Sequence, residues 1–94
     1  MSQPEARLSR KIMTALRNEG AFVFKVHGGP MMMAGLPDIV GVYLGRFIAV
    51  ETKMPGNKPS DIQLVIHDRI RAAGGQVVVA HSVDEALEVL KRRR

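Results

Sequence analysis

Apolar positions change their period several times along the chain, and each change marks an element. Leu8, Ile12, Ala15 and Leu16 recur at helical spacing. Ser2, Pro4 and Glu5 suit the start of that helix: a capping hydroxyl, a first-turn proline and a capping-box glutamate. Asn18-Glu19-Gly20 ends it, and residues 21–26, AFVFKV, read as a short strand. Residues 27–35, HGGPMMMAG, form a loop with glycines near both ends. Residues 38–43 and 47–53 are the two arms of a hairpin. Pro55-Gly56-Asn57-Lys58-Pro59 then breaks the chain. Ser60 opens a second helix with Gln63 in capping-box position and a buried stripe of Ile62, Ile66, Ile70 and Ala73. Gly74-Gly75 closes that helix, and residues 76–80, QVVVA, are a continuous apolar run expected inside a sheet. Ser82 caps a last helix, with Ala86, Leu87 and Leu90 facing inward. The basic tail 91–94, KRRR, follows.

The order helix, three strands, helix, strand, helix predicts an α/β fold: a mixed sheet of about four strands flanked by helices. The strand from Phe47, the helix from Ser60 and the strand from Gln76 form a βαβ unit, with parallel strands and a right-handed crossover. The hairpin adds antiparallel neighbours. No repeat or linker divides the 94 residues, so one domain over 1–94 is expected.

Composition narrows the chemistry. There is no cysteine, which excludes a disulfide framework and any thiolate metal site. Aromatic residues are only 4% of the chain, so the core must be aliphatic. Three of the six methionines are consecutive, Met31 to Met33; of packing at the core edge, packing under a partner and lining a groove, the first is expected. No apolar run approaches the ~18 residues of a membrane span, and the N-terminus has no secretory core. A cytoplasmic protein of a bacterial or phage-infected cell is the expectation, with no membrane partner. The formal charge of +5 suits a polyanionic partner such as nucleic acid. No G-x-x-x-x-G-K-[ST] loop is present, so no nucleotide cofactor is expected.

Charged residues stand only near the ends of the hairpin. If Leu44 and Gly45 form a two-residue turn, Tyr43 pairs with Arg46, and counting back sets Asp38 opposite Glu51. Opposed Cβ atoms lie roughly 4.5–5.5 Å apart, and two carboxylates so close repel unless a cation joins them. Mg²⁺ suits such oxygens. A three-residue turn would break this register, and the metal reading would then need a bulge or an Asp38 lying just before the pairing starts. Glu5 points along the Ile12 and Leu16 stripe; it either closes a capping box on Ser2 or joins the two carboxylates. Lys53 shares a strand face with Glu51, where an ammonium can stabilise charge developing on a phosphate. The set holds the parts for metal-assisted phosphodiester hydrolysis.

Pro37-Asp38 followed by Glu51-Thr52-Lys53 resembles the PD-(D/E)XK nuclease motif. With Glu5 on a first helix, GLPD at 35–38 and Gln63 in SDIQ, the chain most resembles the VRR-NUC group, and shares much with Holliday-junction resolvases. The resemblance runs from Glu5 to Ser82 and implies a restriction-endonuclease-like core. By position it implies Asp38 and Glu51 as metal ligands, joined by the Thr52 carbonyl and by Glu5. It implies Lys53 as the catalytic lysine and Gln63 as a supporting catalytic residue, a role open beside that of capping box. It further implies Mg²⁺ or Mn²⁺ as cofactor. The implied activity is structure-selective cutting of DNA by a Holliday-junction resolvase of the phage-like, recombination and repair type. A homodimer on branched or four-way DNA is the implied assembly. A sequence-specific or nicking endonuclease, and a nonenzymatic DNA-binding module of the same fold, remain alternatives. Of the basic residues, Lys58, Arg10 and Lys11 are candidate DNA contacts. His27, in its glycine loop, is the histidine expected nearest substrate; His67 and His81 read as structural or surface residues.

Overall fold

The computed structural model describes residues 3–91. The first helix, α1, spans Pro4–Asn18, with Gln3 at its N-cap and no side-chain cap. The expected Ser2–Glu5 capping box and the tail 92–94 lie outside the described residues. Strands follow at Phe22–Lys25 (β1), Ile39–Tyr43 (β2) and Arg46–Thr52 (β3). Then come α2 at Asp61–Ala72, β4 at Gln76–Ala80, and α3 at Val83–Leu87, which tightens into a 3₁₀ turn at Glu88–Leu90. The sheet order is β1-β2-β3-β4, antiparallel except for the parallel β3–β4 pair. The mixed four-stranded sheet is thus as expected.

The sheet's two faces differ. On one face, Val23, Ile39, Ile48, Val50 and Ala80 pack with Ile12 and Leu16 of α1 and with Ala86 and Val89. Val89 in the 3₁₀ turn is buried, while Leu90, expected inward, is only partly so. On the other face α2 packs against β4, with Ile66 buried. Its stripe differs from the expected one: Ile62 is exposed, and the buried helix residues are Ile66 and His67. An apolar-only reading of the helix rotates the stripe away from His67.

The hairpin turn is the two-residue kind. Leu44 has φ 49° and Gly45 φ 80°, as a type I′ turn requires at both central positions. Leucine in the left-handed region is costly, and the pairing of Tyr43 with Arg46 shows that the strands hold it there. Ile39 consequently pairs with Val50, which leaves Asp38 and Glu51 at the same end of the sheet.

The capping box expected on α2 is complete: the Gln63 N–H donates to Ser60 Oγ (3.3 Å), and the Ser60 N–H donates to Gln63 Oε1 (2.8 Å). Ser60→Ala should therefore cost about 1 kcal/mol, read as a small drop in thermal midpoint. It should not change which cations the protein binds.

Candidate active site

The site is built at the end of the sheet where β2 begins and β3 finishes. Asp38 precedes the first paired residue of β2, which frees its side chain from the strand's alternation. Its Oδ1 accepts the backbone N–H of Thr52 (2.6 Å). Its Oδ2 accepts from Lys25 Nζ (3.1 Å) and Ser9 Oγ (3.2 Å), and Lys25 also donates to Ser9 (2.8 Å). Ser9 belongs to α1 and Lys25 to β1. The carboxylate therefore turns toward the α1 side of the sheet and ties three elements together. Lys25 and Ser9 were missed by reading the sequence. Their available signals were a single charge in an apolar strand and a small polar residue on the α1 stripe, one turn before Ile12.

Glu51 lies on the opposite face, toward α2, as alternation with buried Val50 and Thr52 demands. It is 5% exposed, and its Oε1 is buried with no hydrogen-bond partner. Burial, with the nearby charge of Asp38, pushes its carboxyl up to about 7; Lys53 pulls the other way, and Glu5 adds a smaller upward push. His67 of α2 is fully buried, with Nε2 3.9 Å from Glu51 Oε1 and neither ring nitrogen hydrogen-bonded. Burial, helped by the Arg71 charge, holds its pKa below the usual histidine value. A neutral imidazole thus faces the carboxyl, and the contact is not an ion pair at neutral pH.

Asp38, Glu51 and Gln63 line one open cavity of about 340 Å³, with Val26, Gly28, Gly29 and the loop Met32–Leu36 forming its other walls. Gly35 makes that wall possible. Its φ is +86°, and a Cβ there would sit 2.8 Å from the Ile62 carbonyl oxygen. The methionines expected to pack at the core edge do not: Met31 is 94% exposed, while Met32 and Met33 are exposed residues lining the cavity.

The other expected site residues fall as follows. Lys53 is half-buried, one residue beyond β3, its N–H bonded to the Ala80 carbonyl. Glu5 is exposed in the first turn of α1, one turn before Ser9, and reaches Glu51 only as a through-space charge. Among the described residues no three acidic or imidazole side chains gather closely enough to enclose an ion. The expected trio of Glu5, Asp38 and Glu51 is therefore not assembled side by side. The reason is the turned Asp38, which approaches from the α1 side while Glu51 approaches from the α2 side. His27 and Lys58 are exposed, and His27 is absent from the cavity wall. Arg10 and Lys11 lie with Arg7 along an open groove on α1. Arg17, Arg46 and Arg71 are committed to Val23, Gln76 and Val77 respectively.

No family model matches the chain. It is 37% identical over 82 residues to a protein of Acyrthosiphon pisum secondary endosymbiont phage 1 named "Putative nuclease p44", covering 85% of each sequence. The chain also superposes on a solved "VRR_NUC domain" with a TM-score of 0.76 and 25% identity, covering 95% of this chain and 96% of that one. This chain belongs to the VRR-NUC nuclease family. Its sheet and flanking helices are accordingly the restriction-endonuclease-like core.

The residues fit a hard divalent cation. Carboxylate oxygens suit Mg²⁺ or Mn²⁺, and Glu51 Oε1 is buried, unpartnered and unfavourable to ionise. A nearby positive charge relieves that condition.

Proposed function

We propose that this protein is a divalent-metal-dependent endodeoxyribonuclease selective for branched DNA, acting as a homodimer on four-way junctions. The observation that carries the reading is the convergence of Asp38 and Glu51 on one open cavity, with Lys53 two residues after Glu51 and its charge acting on that carboxyl. Asp38, Glu51 and the Thr52 carbonyl would hold Mg²⁺ or Mn²⁺, with Glu5 within reach of its charge. Bound there, the cation supplies a water of lowered pKa and neutralises the scissile phosphate. Lys25 and Ser9 fix the Asp38 carboxylate, and the Thr52 N–H sets its rotation. Lys53 offers an ammonium to the charge that builds on the phosphate. Gln63 both caps α2 and faces the cavity, so it couples that helix to the site. Arg7, Arg10 and Lys11 offer a basic surface for the phosphates beyond the cut.

The dimer has a physical motive. Phe22 pairs with Val42 and Val42 with Phe47, so three apolar side chains cross β1, β2 and β3 in one row on the face that α2 leaves open. All three are exposed, and Phe24 lies beside Phe22 with ring centroids 6.1 Å apart. A second copy covering that row would place two sites about a two-fold axis, matching the near symmetry of a junction. End-labelled four-way junction, flap and linear duplex, each with Mg²⁺ and without it, test the reading on protein whose mass is measured by light scattering. Paired junction cuts that need the cation, made by a dimer, are expected. Equal cutting of linear duplex would make the protein a general or sequence-specific endonuclease. Binding of DNA without any cutting would make it a DNA-binding module.

A further inference from the structure

His67 is the one buried polar side chain among the described residues with both of its side-chain polar atoms unpartnered. It sits in the middle of α2, four residues after Gln63 and therefore on the same helix face. Gln63 lines the cavity; His67 lies one turn deeper, against Glu51. Leaving a buried hydrogen-bonding group dry is costly, so such groups are nearly always paired. Here two dry groups face each other. Glu51 Oε1 and His67 Nε2 are 3.9 Å apart, about 1 Å beyond hydrogen-bond length. Small rotations of the flexible Glu51 side chain would close that gap and satisfy both atoms at once.

We propose that His67 is the positioning residue for Glu51. Its Nε2–H donates to Oε1 when Glu51 is ionised, fixing the carboxylate so that its other oxygen is presented to the cavity. The inference rests on the nuclease reading above and assigns this site a buried donor. The chemistry of the pair supports it. A neutral imidazole supplies a directional N–H without adding a charge that would compete with a cation for the carboxylate. Lysine or arginine at position 67 would be such a competitor, and an apolar residue would leave the carboxylate free to rotate. Orienting groups of this kind typically change metal affinity or activity by about 10–100-fold when removed.

The test uses His67→Leu, His67→Gln and His67→Asn. A glutamine amide nitrogen falls near the position of Nε2, whereas an asparagine amide is too short and mimics Nδ1. Mn²⁺ affinity is measured by calorimetry without DNA, thermal midpoints without metal, and kcat and KM on a four-way junction with Mg²⁺. His67→Leu is expected to melt no lower than the unsubstituted protein. It should bind Mn²⁺ about 10–100-fold more weakly and lose a similar factor in kcat, with KM for DNA unchanged. His67→Gln should recover most of both losses. The inference is overturned if His67→Leu holds Mn²⁺ as tightly as the unsubstituted protein. It is equally overturned if His67→Gln, folded, fails as badly as His67→Leu. Should His67→Leu not fold, the glutamine and asparagine variants decide: equal Mn²⁺ affinity in the two overturns it. An unsubstituted protein that neither binds Mn²⁺ nor cuts DNA overturns the nuclease reading and this inference with it. An active one matched by His67→Leu overturns only the role of His67.

Discussion

Replacing Lys53 by alanine is expected to lower the single-turnover rate of DNA cleavage by about 10²–10³-fold, with little change in thermal midpoint. Two lysines stand at this site, and their surroundings separate their roles. Lys25 is engaged on Asp38 and Ser9 at 3.1 and 2.8 Å. Among the described residues, no hydrogen bond or salt bridge is seen from Lys53 Nζ, yet its charge acts on Glu51. An ammonium already committed to a carboxylate has little to offer a phosphate; an uncommitted one whose charge reaches Glu51 can stabilise charge as it develops. Lys25→Ala should therefore act through stability and through a loosened Asp38, costing about 1–3 kcal/mol for the polar groups left unpaired. Lys53→Ala should act on the chemical step. A further sign follows from the Glu51 carboxyl. Lys53 favours its ionised form, so Lys53→Ala should move the rising limb of the pH–rate profile to higher pH. Rates and melts on both variants check this. A Lys53→Ala protein that cuts at the unsubstituted rate while Lys25→Ala is dead would transfer the catalytic role to Lys25.

How much of this was legible in the sequence depends on which property carries each residue. Strand order and hairpin register follow from alternation and turn length, which are local, and the Asp38–Glu51 proximity came with them. Leu44 could have misled, because leucine is a poor choice for a left-handed turn position; the strands on either side decide it. Gln63 as a cap was readable from its spacing to Ser60, since a capping box spans four residues. The direction of the Asp38 side chain was not readable. It depends on Lys25 and Ser9, residues 13 and 29 positions away in the chain. The burial of His67 was hidden for a related reason: a histidine on an otherwise exposed helix looks like surface until the partner strand is in place. The family motif singled out Asp38 and Glu51, and both line the same cavity. It carried no information about Ser9 and Lys25, which hold Asp38 from α1 and β1.

Glu51→Gln is expected to abolish cutting and, at pH 8 without metal, to raise stability by about 3 kcal/mol. The sign follows from where the carboxyl titrates. Its ordinary value is 4.5, and burial with the Asp38 charge lifts it to about 7 in the folded protein. Between those values the folded state holds a proton that the unfolded state has lost, so stability falls as pH rises through this window. Below pH 4.5 the group is neutral in both states and costs nothing. Above pH 7 the folded protein carries a buried carboxylate at full cost. Glutamine is neutral throughout and removes that slope. The two proteins should thus melt alike near pH 4 and diverge by roughly 10 °C or more at pH 8. The difference between them cancels other titrating groups, including His81, whose bonds to the Asn57 carbonyl and Glu85 raise its pKa. Mn²⁺ should reverse the contrast at pH 8, because a ligand that binds only the folded state stabilises it and the glutamine variant lacks the charge to hold it. Parallel melting curves for the two proteins from pH 4 to 8 would show that Glu51 ionises freely. The cation would then lose the energetic opening that the buried carboxylate provides.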